Sequence, residues 1–205
     1  MELYEVMRLT ATTRSFTRDP VPLSLLHKVL DHARFAPNGG NRQGWRVIVV
    51  TDPNRRRFLY ETYQVPWRDY LKVRGQPSAK VTAFSNALAE IPVHLLVLVE
   101  LKALAVMDKD LDRQSIVGGG SIYPFVQNLL LGLRQEGLGA ALTTMVIARE
   151  PDVKREFGIP DGYAIAGHIM VGWPAEPFPT RLKRKPVEEF TTRERFDGPP
   201  LAPSH

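Results

Sequence analysis

The chain has 205 residues, of which 43% are hydrophobic and 24% charged, as expected for one globular domain. It contains no cysteine, which excludes disulfides, thiolate nucleophiles and cysteine-ligated metals and is compatible with a cytoplasmic location. The formal charge of +5 favours an anionic partner. The most apolar run, Val93 to Val99, is too short to span a membrane, and Met1 to Thr10 lacks the apolar run of a signal peptide.

The first half of the chain predicts helices and one strand. A helix reaches about Leu9, and a second helix follows the prolines at 20 and 22. A strand is predicted from Arg46 to Thr51, after which Asp52-Pro53 caps and opens another helix. Residues 64–86 are polar and lack a clear period, so we expect a mobile lid of short helices there. The second helix has an inward stripe at helical spacing, formed by Leu26, Val29, Leu30 and Ala33.

The second half predicts two buried strands, Val93–Glu100 and Tyr163–Val171, because both runs are almost continuously apolar. A strong helix begins at Ser121 and is stopped by Gly137, and a short helix covers residues 151–157. Three strands among several helices favour an α+β fold, with residues 1–205 forming a single domain. Beyond about residue 175 the chain is rich in proline and basic residues, so we expect an extended C-terminal arm, residues 175–205, that wraps onto a second subunit.

Few side chains are arranged for protein-based catalysis. No histidine has a partner at metal-ligand spacing, and His94 and His168, inside predicted strands, are expected to be satisfied core residues. Asp108 and Asp110 lack the spacing of a calcium loop, so they are expected to lie in a solvated loop. Neither a serine-nucleophile elbow nor a phosphate-binding glycine motif is present. The basic run 55–57 is expected on a solvated helix face, outside any nucleic-acid motif.

The segment from Ala36 to Trp45 (APNGGNRQGW) is the most informative in the chain. Two adjacent glycines allow close backbone approach, while Asn38, Asn41 and Gln43 offer amide donors and acceptors. Such a loop can bind the polar edge of a flat heteroaromatic ring, although an ordinary helix-to-strand connection has the same composition. Because the protein supplies no reactive group of its own, a bound cofactor would have to supply one.

Four blocks of sequence resemble the nitroreductase superfamily of flavin enzymes over nearly the whole chain. Two are the segment Thr12–Pro22 and the Asn/Gly segment Ala36–Trp45. The third comprises Gly119–Ile122 with residues 127–129 and 137–139, and the fourth Gly172-Trp173-Pro174 with residues 184–186. The resemblance implies a nitroreductase-like α+β fold. Its central, mostly antiparallel sheet would be flanked by helices, with a C-terminal extension exchanged between the subunits of a homodimer.

The resemblance also implies FMN as cofactor and NADPH or NADH as electron donor, with a nitroaromatic, quinone or related small acceptor. Thr12 and Arg184, with Lys183, would bind the flavin phosphate, and Arg14 would lie near the ring edge where negative charge develops. The flavin itself would carry the chemistry, with no catalytic side chain and no metal. The resemblance further implies that Asn38, Gly39, Gly40, Asn41 and Gln43 contact the flavin of the other subunit. Thr143, Thr144 and Met145 would lie beside N5, the reactive atom of the flavin.

The chain departs from the family pattern at four places. The usual arginine pair is replaced by Thr10-Ala11, for which Arg8 or Arg18 could substitute. Gly44 replaces a proline, which is expected to loosen the Asn/Gly segment, while Asn38 replaces a serine and Met145 a glycine. These changes keep open a second hypothesis, a flavin-binding or storage protein with little redox turnover. A third, a basic nucleic-acid-binding domain, depends on net charge alone.

Overall fold

The computed structural model describes residues 1–202, and within them the chain forms six α-helices and four strands. The helices are α1 (Leu3–Leu9), α2 (Leu23–Ala33), α3 (Pro53–Arg74), α4 (Ala79–Ala87), α5 (Tyr123–Gln135) and α6 (Glu150–Phe157). The strands are β1 (Trp45–Val50), β2 (Val93–Glu100), β3 (Gly139–Thr143) and β4 (Tyr163–Gly172). No helix in this part of the chain is long and apolar enough to cross a membrane.

The four strands form one sheet in the order β1-β2-β4-β3, with every neighbouring pair antiparallel. The fold is therefore α+β, as predicted. Strands β2 and β4 occupy the centre, and nearly every residue in each is buried, which explains their continuously apolar sequences. Strand β3 was not predicted. It is only five residues long and begins two residues after Gly137, the glycine that ends α5.

Each face of the sheet is covered by its own apolar core. Helices α2 and α5 cover one face, where Leu26, Val29 and Leu129 are almost fully buried. Helix α3 and the short helices around it cover the other face, where Leu59 and Met170 have no exposed surface. Burying both faces removes a large apolar area from water, and each Å² of that area stabilises the fold by about 25 cal/mol. Because both faces are covered, the edges of the sheet, β1 and β3, are the parts left open to other segments, and the candidate site lies along the β3 edge.

Most predicted helix ends are confirmed. The Oδ1 atom of Asp52 accepts a hydrogen bond from the backbone N–H of Arg55 at 2.9 Å, and Pro53 opens α3. Helix α5 ends next to Gly137, whose φ of 79° lies in the left-handed region. Helix α6 begins at Glu150 and ends at Phe157, one residue from the predicted start.

Residues 64–86, for which short helices were predicted, form the second half of one long helix and most of one short helix. Helix α3 continues for 22 residues straight through Pro66, and α4 follows after a short turn. Proline removes one helical hydrogen bond, but Tyr63 and Trp67 on either side are buried in the second core. Phe84 of α4 is buried in the same core. Packing of these aromatic rings therefore outweighs the local helix-breaking signal.

One arginine of the run 55–57 is not solvated as predicted. Arg56 is partly buried, and its Nη1 donates to the carbonyl oxygen of Ile91 at 2.7 Å. Arg55 and Arg57 are exposed, and Arg57 pairs with Glu61 one turn later at 3.0 Å. Arg56 thus connects α3 to the segment before β2, while Arg55 and Arg57 face solvent.

Candidate functional site

The N-terminal segment lies against the free edge of β3. The backbone N–H of Thr13 donates to the carbonyl oxygen of Ala140 at 2.8 Å, and Thr12 forms a parallel bridge with the same residue. Gly139 permits this approach, because a Cβ atom there would lie 2.7 Å from the side chain of Thr13. Strand β3, which the sequence did not reveal, therefore positions Thr12.

Beside Thr12 lies a cavity of about 280 Å³, which we call the arginine cavity. Arg134 of α5 and Arg184 of the C-terminal segment both line it, together with Thr12 and Phe178. The remaining lining residues are neutral: Met7, Thr10, Ala11, Gln127, Leu130, Leu138, Ala140 and Leu142. The cavity therefore has two guanidinium groups and no carboxylate in its lining.

This set of donors fits a phosphate monoester. Guanidinium groups bind phosphate oxygens through paired N–H donors, and a threonine hydroxyl adds a further donor. The Thr10 hydroxyl already donates to the carbonyl oxygen of Val6 at 2.7 Å, whereas Thr12 is exposed. The Nε atom of Arg134 is buried and has no hydrogen-bond partner within the described residues. A bound anion would compensate for that missing partner.

Arg14 lies close to Thr12 but lines different cavities. One of about 400 Å³ is shared by Thr12, Arg14 and Phe178, and it is bordered by Lys80 and Glu176, which form an ion pair. The positive charge of Arg14 also reaches Tyr63 of α3. Burial raises the pKa of the Tyr63 phenol, while a hydrogen bond with Ser85 and the charge of Arg14 act in the opposite direction.

The predicted residues Thr143, Thr144 and Met145 lie at the C-terminal end of β3. Thr143 is opposite His168 in the β3–β4 register, and its Oγ1 accepts a hydrogen bond from the backbone N–H of Met145 at 3.3 Å. Thr144 is exposed and precedes a short 3₁₀ helix that begins at Met145. Thr143 lies three positions after Ala140 along β3, about 10 Å away, so it shares the edge against which Thr12 lies.

The Asn/Gly loop, residues 36–44, is held together by its own side chains. The Oδ1 atom of Asn38 accepts from the backbone N–H of Gln43 at 2.9 Å, and Nε2 of Gln43 donates to Oδ1 of Asn41 at 3.2 Å. Gly40, Asn41 and Gln43 have φ values of 64°, 51° and 50°. Two non-glycine residues in the left-handed region indicate local backbone strain, on the order of 1 kcal/mol each.

The prediction that Gly44 loosens this loop is wrong. A Cβ atom on Gly44 would lie 2.4 Å from the Cβ atom of Ala103, so a side chain has no room there. The carbonyl oxygen of Gly44 also accepts a hydrogen bond from the backbone N–H of Glu100 at 2.8 Å. Gly44 therefore lets the loop pack closely against the chain that follows β2.

Within one chain, the structure brings together only part of the predicted site. Thr12, Arg14, Arg184 and Thr143–Met145 lie on the β3 side of the sheet. The Asn/Gly loop, with Asn38, Gly39, Gly40, Asn41 and Gln43, precedes β1 at the opposite edge, three strand spacings or about 14 Å away. Lys183 is exposed and lines none of the cavities described above, although its carbonyl oxygen accepts from Nη1 of Arg184 at 2.9 Å.

Sequence reasoning missed Arg134 as a site residue. It lies in the last turn of α5 next to the buried Leu133, where a basic side chain is ordinary at a helix C-terminus. Its guanidinium carbon lies 3.7 Å from the centroid of the Phe178 ring, which the C-terminal segment supplies. Only the fold brings residue 178 to α5, so spacing in the sequence could not have indicated this contact.

Asp108 and Asp110 lie in an exposed loop, as predicted, but the side chain of Asp108 is not solvated. That side chain is buried and accepts hydrogen bonds from the backbone N–H groups of Ile116 and Val117, the Ser115 hydroxyl and the Arg113 guanidinium. These donors, led by the Ile116 N–H, hold the pKa of Asp108 well below its usual range. Asp108 therefore organises the loop that precedes the glycines at 118–120.

Comparison with known proteins identifies the family of this chain. A sequence model of the Nitroreductase family matches residues 9–173. The NADH dehydrogenase of Thermus thermophilus is 29% identical over 191 residues, covering 80% of this chain and 82% of that protein. The iodotyrosine deiodinase of Thermotoga neapolitana is 27% identical over 196 residues, covering 93% and 98%.

Among solved structures, a point mutant of the FMN and NADPH-dependent nitroreductase NfnB from Sphigopyxis sp. strain HMH superposes with a TM-score of 0.73. It is 18% identical, and the match covers 96% of this chain and 100% of that one. At this identity the likeness shows a common fold, whereas the family match over residues 9–173 shows descent. The chain therefore belongs to the nitroreductase family, and with it to the oxidoreductases.

Proposed function

We propose that this chain is an FMN-dependent oxidoreductase that takes electrons from NADH or NADPH and passes them to a small organic acceptor. The observation that carries the proposal is the arginine cavity beside β3, where Thr12 and Arg184 converge without any carboxylate in the lining. When bound, FMN would accept a hydride from the nicotinamide and deliver electrons to the acceptor. The protein then has to bind, orient and electrostatically tune the cofactor.

Each proposed role follows from the position of the side chain. Arg184 neutralises the flavin phosphate, and the Thr12 hydroxyl donates to one of its oxygens. Arg14, on the same segment two residues after Thr12, supplies a fixed positive charge towards the ring, which favours the build-up of negative charge there. The hydrogen bond from the Met145 N–H to Thr143 holds the end of β3 where the ring would pass.

The relatives suggest the range of electron acceptors. One is named an NADH dehydrogenase, one an iodotyrosine deiodinase and one a nitroreductase that depends on FMN and NADPH. For this chain we propose a nitroaromatic, a quinone or a related planar acceptor that occupies the nicotinamide's place after hydride transfer. No membrane or nucleic-acid partner enters this proposal, and a cytoplasmic location is part of it.

We further propose a homodimer in which the Asn/Gly loop of one subunit contacts the flavin of the other. The loop lies at the edge of the sheet opposite β3, about 14 Å away within its own chain, and none of its residues lines the cavities beside Thr12. Large apolar side chains that are exposed in the single chain support a partner surface: Tyr4, Phe35, Met107, Ile116 and Phe196. Phe178 and Arg184 of the C-terminal arm, residues 175–205, line the arginine cavity of their own chain, so the exchange between subunits that we propose is limited to the arm beyond Arg184. Residues 203–205 of this arm lie outside the described structure.

The test is a spectroscopic titration of the purified protein reconstituted with FMN in the absence of oxygen. NADH or NADPH should bleach the yellow flavin, and addition of a nitroaromatic or a quinone should restore the colour. Bound flavin that both nicotinamides leave oxidised would favour the alternative, a flavin-binding or storage protein. That alternative rests on the missing arginine pair at Thr10-Ala11 and on Met145 at the proposed ring contact.

A further inference from the structure

The arginine cavity contains a cation that the rest of the site leaves unexplained. Arg134 projects from the last turn of α5, and its guanidinium carbon lies 3.7 Å from the centroid of Phe178. Its Nε atom is buried and has no hydrogen-bond partner among residues 1–202. A buried polar N–H without a partner is costly, so a group of this kind in a cavity calls for an acceptor.

The side chains around Arg134 offer no negative charge. None of the residues that line the arginine cavity is acidic, and none of the ion pairs formed within residues 1–202 includes Arg134 or Arg184. The two guanidinium groups therefore share one cavity without a neutralising partner. Their repulsion would be relieved by an anion that carries two negative charges, such as a phosphate monoester.

The other arginines considered for this role, Arg8 and Arg18, do not line the arginine cavity. Arg18 pairs with Glu90, its side chain is 81% exposed, and it does not line the arginine cavity. Arg8 is exposed and does not line the arginine cavity; it lines a neighbouring cavity that Arg184 also borders and that contains the carboxylate of Glu5. Residues Thr10 and Ala11, which do line the arginine cavity, carry no charge. Among the side chains that line it, only Arg134 can supply a second positive charge beside Arg184.

We propose that Arg134 binds the phosphate of the cofactor and so replaces, from α5, the positive charge that positions 10 and 11 lack. The inference rests on the proposed function, because it takes FMN to be the ligand. Phe178 would hold the planar guanidinium by stacking on its face, which leaves the in-plane N–H groups free to donate to phosphate oxygens. The C-terminal segment would then contribute twice to one site, through Arg184 and through Phe178.

The experiment compares the binding of FMN and riboflavin to the apoprotein by quenching of flavin fluorescence, since riboflavin lacks the phosphate. Arg134→Gln should raise the Kd for FMN about tenfold to a hundredfold, as expected for the loss of one charged hydrogen bond. The Kd for riboflavin should change less than about twofold in the same variant. The Kd of Arg134→Lys for FMN should lie between those of the wild type and Arg134→Gln. The matched control Arg18→Gln should leave the Kd values for FMN and riboflavin unchanged.

Charge rescue adds a second criterion. Ala11→Arg in the Arg134→Gln background should recover much of the lost preference for FMN, because residue 11 lines the same cavity. A purely structural role for Arg134 predicts a different result, in which FMN and riboflavin weaken together and a cation at position 11 restores neither. That result would overturn the inference.

A third variant keeps the inference testable even if Arg134→Gln does not fold. With Arg184→Gln, a contribution from Arg134 predicts that FMN still binds at least about tenfold more tightly than riboflavin. Equal affinity for the two flavins in that variant would mean that Arg134 adds nothing to phosphate binding. If the wild-type protein binds neither flavin, the proposed function itself fails, which is a separate outcome from the failure of Arg134 alone.

Discussion

The Nε2 atom of His168 lies 3.0 Å from the Nδ1 atom of His94, and neither ring has any surface exposed to solvent. The Nε2 atom of His94 lies 3.0 Å from the carbonyl oxygen of Leu88. Two consecutive hydrogen bonds therefore connect His168 to His94 and His94 to the backbone. In this arrangement His94 donates to Leu88 and accepts from His168. The Nδ1 atom of His168 has no partner within the described residues, so the expectation of a fully satisfied pair is only partly met.

This pair predicts a loss of stability in mild acid. Burial lowers the pKa of His94 to about 3 and that of His168 well below its usual value of 6.5. Below pH 6.5 the unfolded chain binds protons at both sites while the folded chain does not. The free energy of unfolding should therefore fall as the pH drops from 6.5 towards 3, by up to about 1.4 kcal/mol per pH unit for each histidine.

Urea unfolding between pH 5 and pH 8 measures this dependence. His168→Leu removes one of the two titrating sites and should reduce the slope of unfolding free energy against pH by about one proton. Met170→Leu is a matched control, because it changes a buried side chain of the same strand without removing a titrating group, and it should leave the slope unchanged. A slope below pH 6.5 that is the same in His168→Leu as in the wild type would contradict this account.

Gly44→Ala should destabilise the fold. The added methyl group would lie 2.4 Å from Ala103, so the loop or the chain after β2 has to move. Overpacking of this kind costs about 1–3 kcal/mol. Thermal unfolding should show a lower Tm for this variant, and Gly162→Ala, with nothing within 4 Å of the added atom, serves as the control. Equal Tm values for the two variants would mean that residues 44 and 103 are not closely packed.

Asp108→Ala should open the loop that its carboxylate organises. The backbone N–H groups of Ile116 and Val117 lose their acceptor, and residues 109–115 lose the contact that holds them in place. Trypsin should then cleave faster after Lys109 and Arg113, which mass spectrometry of the fragments detects. Asp110→Ala is the control, because that side chain is exposed. Cleavage at equal rates in both variants would exclude an organising role for Asp108.

Arg14→Ala should slow the reduction of bound flavin more than it weakens flavin binding. A fixed cation near the ring stabilises charge that develops only during the reaction, whereas the phosphate is held elsewhere. We expect reduction by NADPH to slow about tenfold or more, and Arg14→Lys to retain part of the rate. Stopped-flow absorbance gives the rate, and fluorescence titration gives the Kd. An unchanged reduction rate would mean that Arg14 lies away from the ring.

The helices and central strands follow from local sequence patterns. The apolar stripe of α2 and the continuous apolar runs of β2 and β4 predict which residues are buried, because one or both faces of each element pack into a core. Asp52 and Gly137 mark helix ends through local backbone chemistry. These features depend on neighbours a few residues away, which a single sequence displays.

The remaining features depend on contacts between distant segments. Strand β3 has only five residues and is specified by its pairing with β4, while Pro66 is tolerated in α3 because Tyr63 and Trp67 pack on either side of it. Arg134 enters the site only because the C-terminal segment brings Phe178 to it. A sequence pattern describes one element at a time, so it does not predict contacts between residues that are far apart in the sequence.

Above all, we propose that the chain binds FMN through the cavity beside β3 and uses it to transfer electrons. The absorbance of the reconstituted protein under anaerobic titration with NADPH and NADH, followed by a nitroaromatic or a quinone, tests this proposal. We expect a yellow protein that one of the nicotinamides bleaches and the acceptor recolours. A protein that stays colourless after incubation with FMN, or whose bound flavin neither nicotinamide reduces, would contradict it.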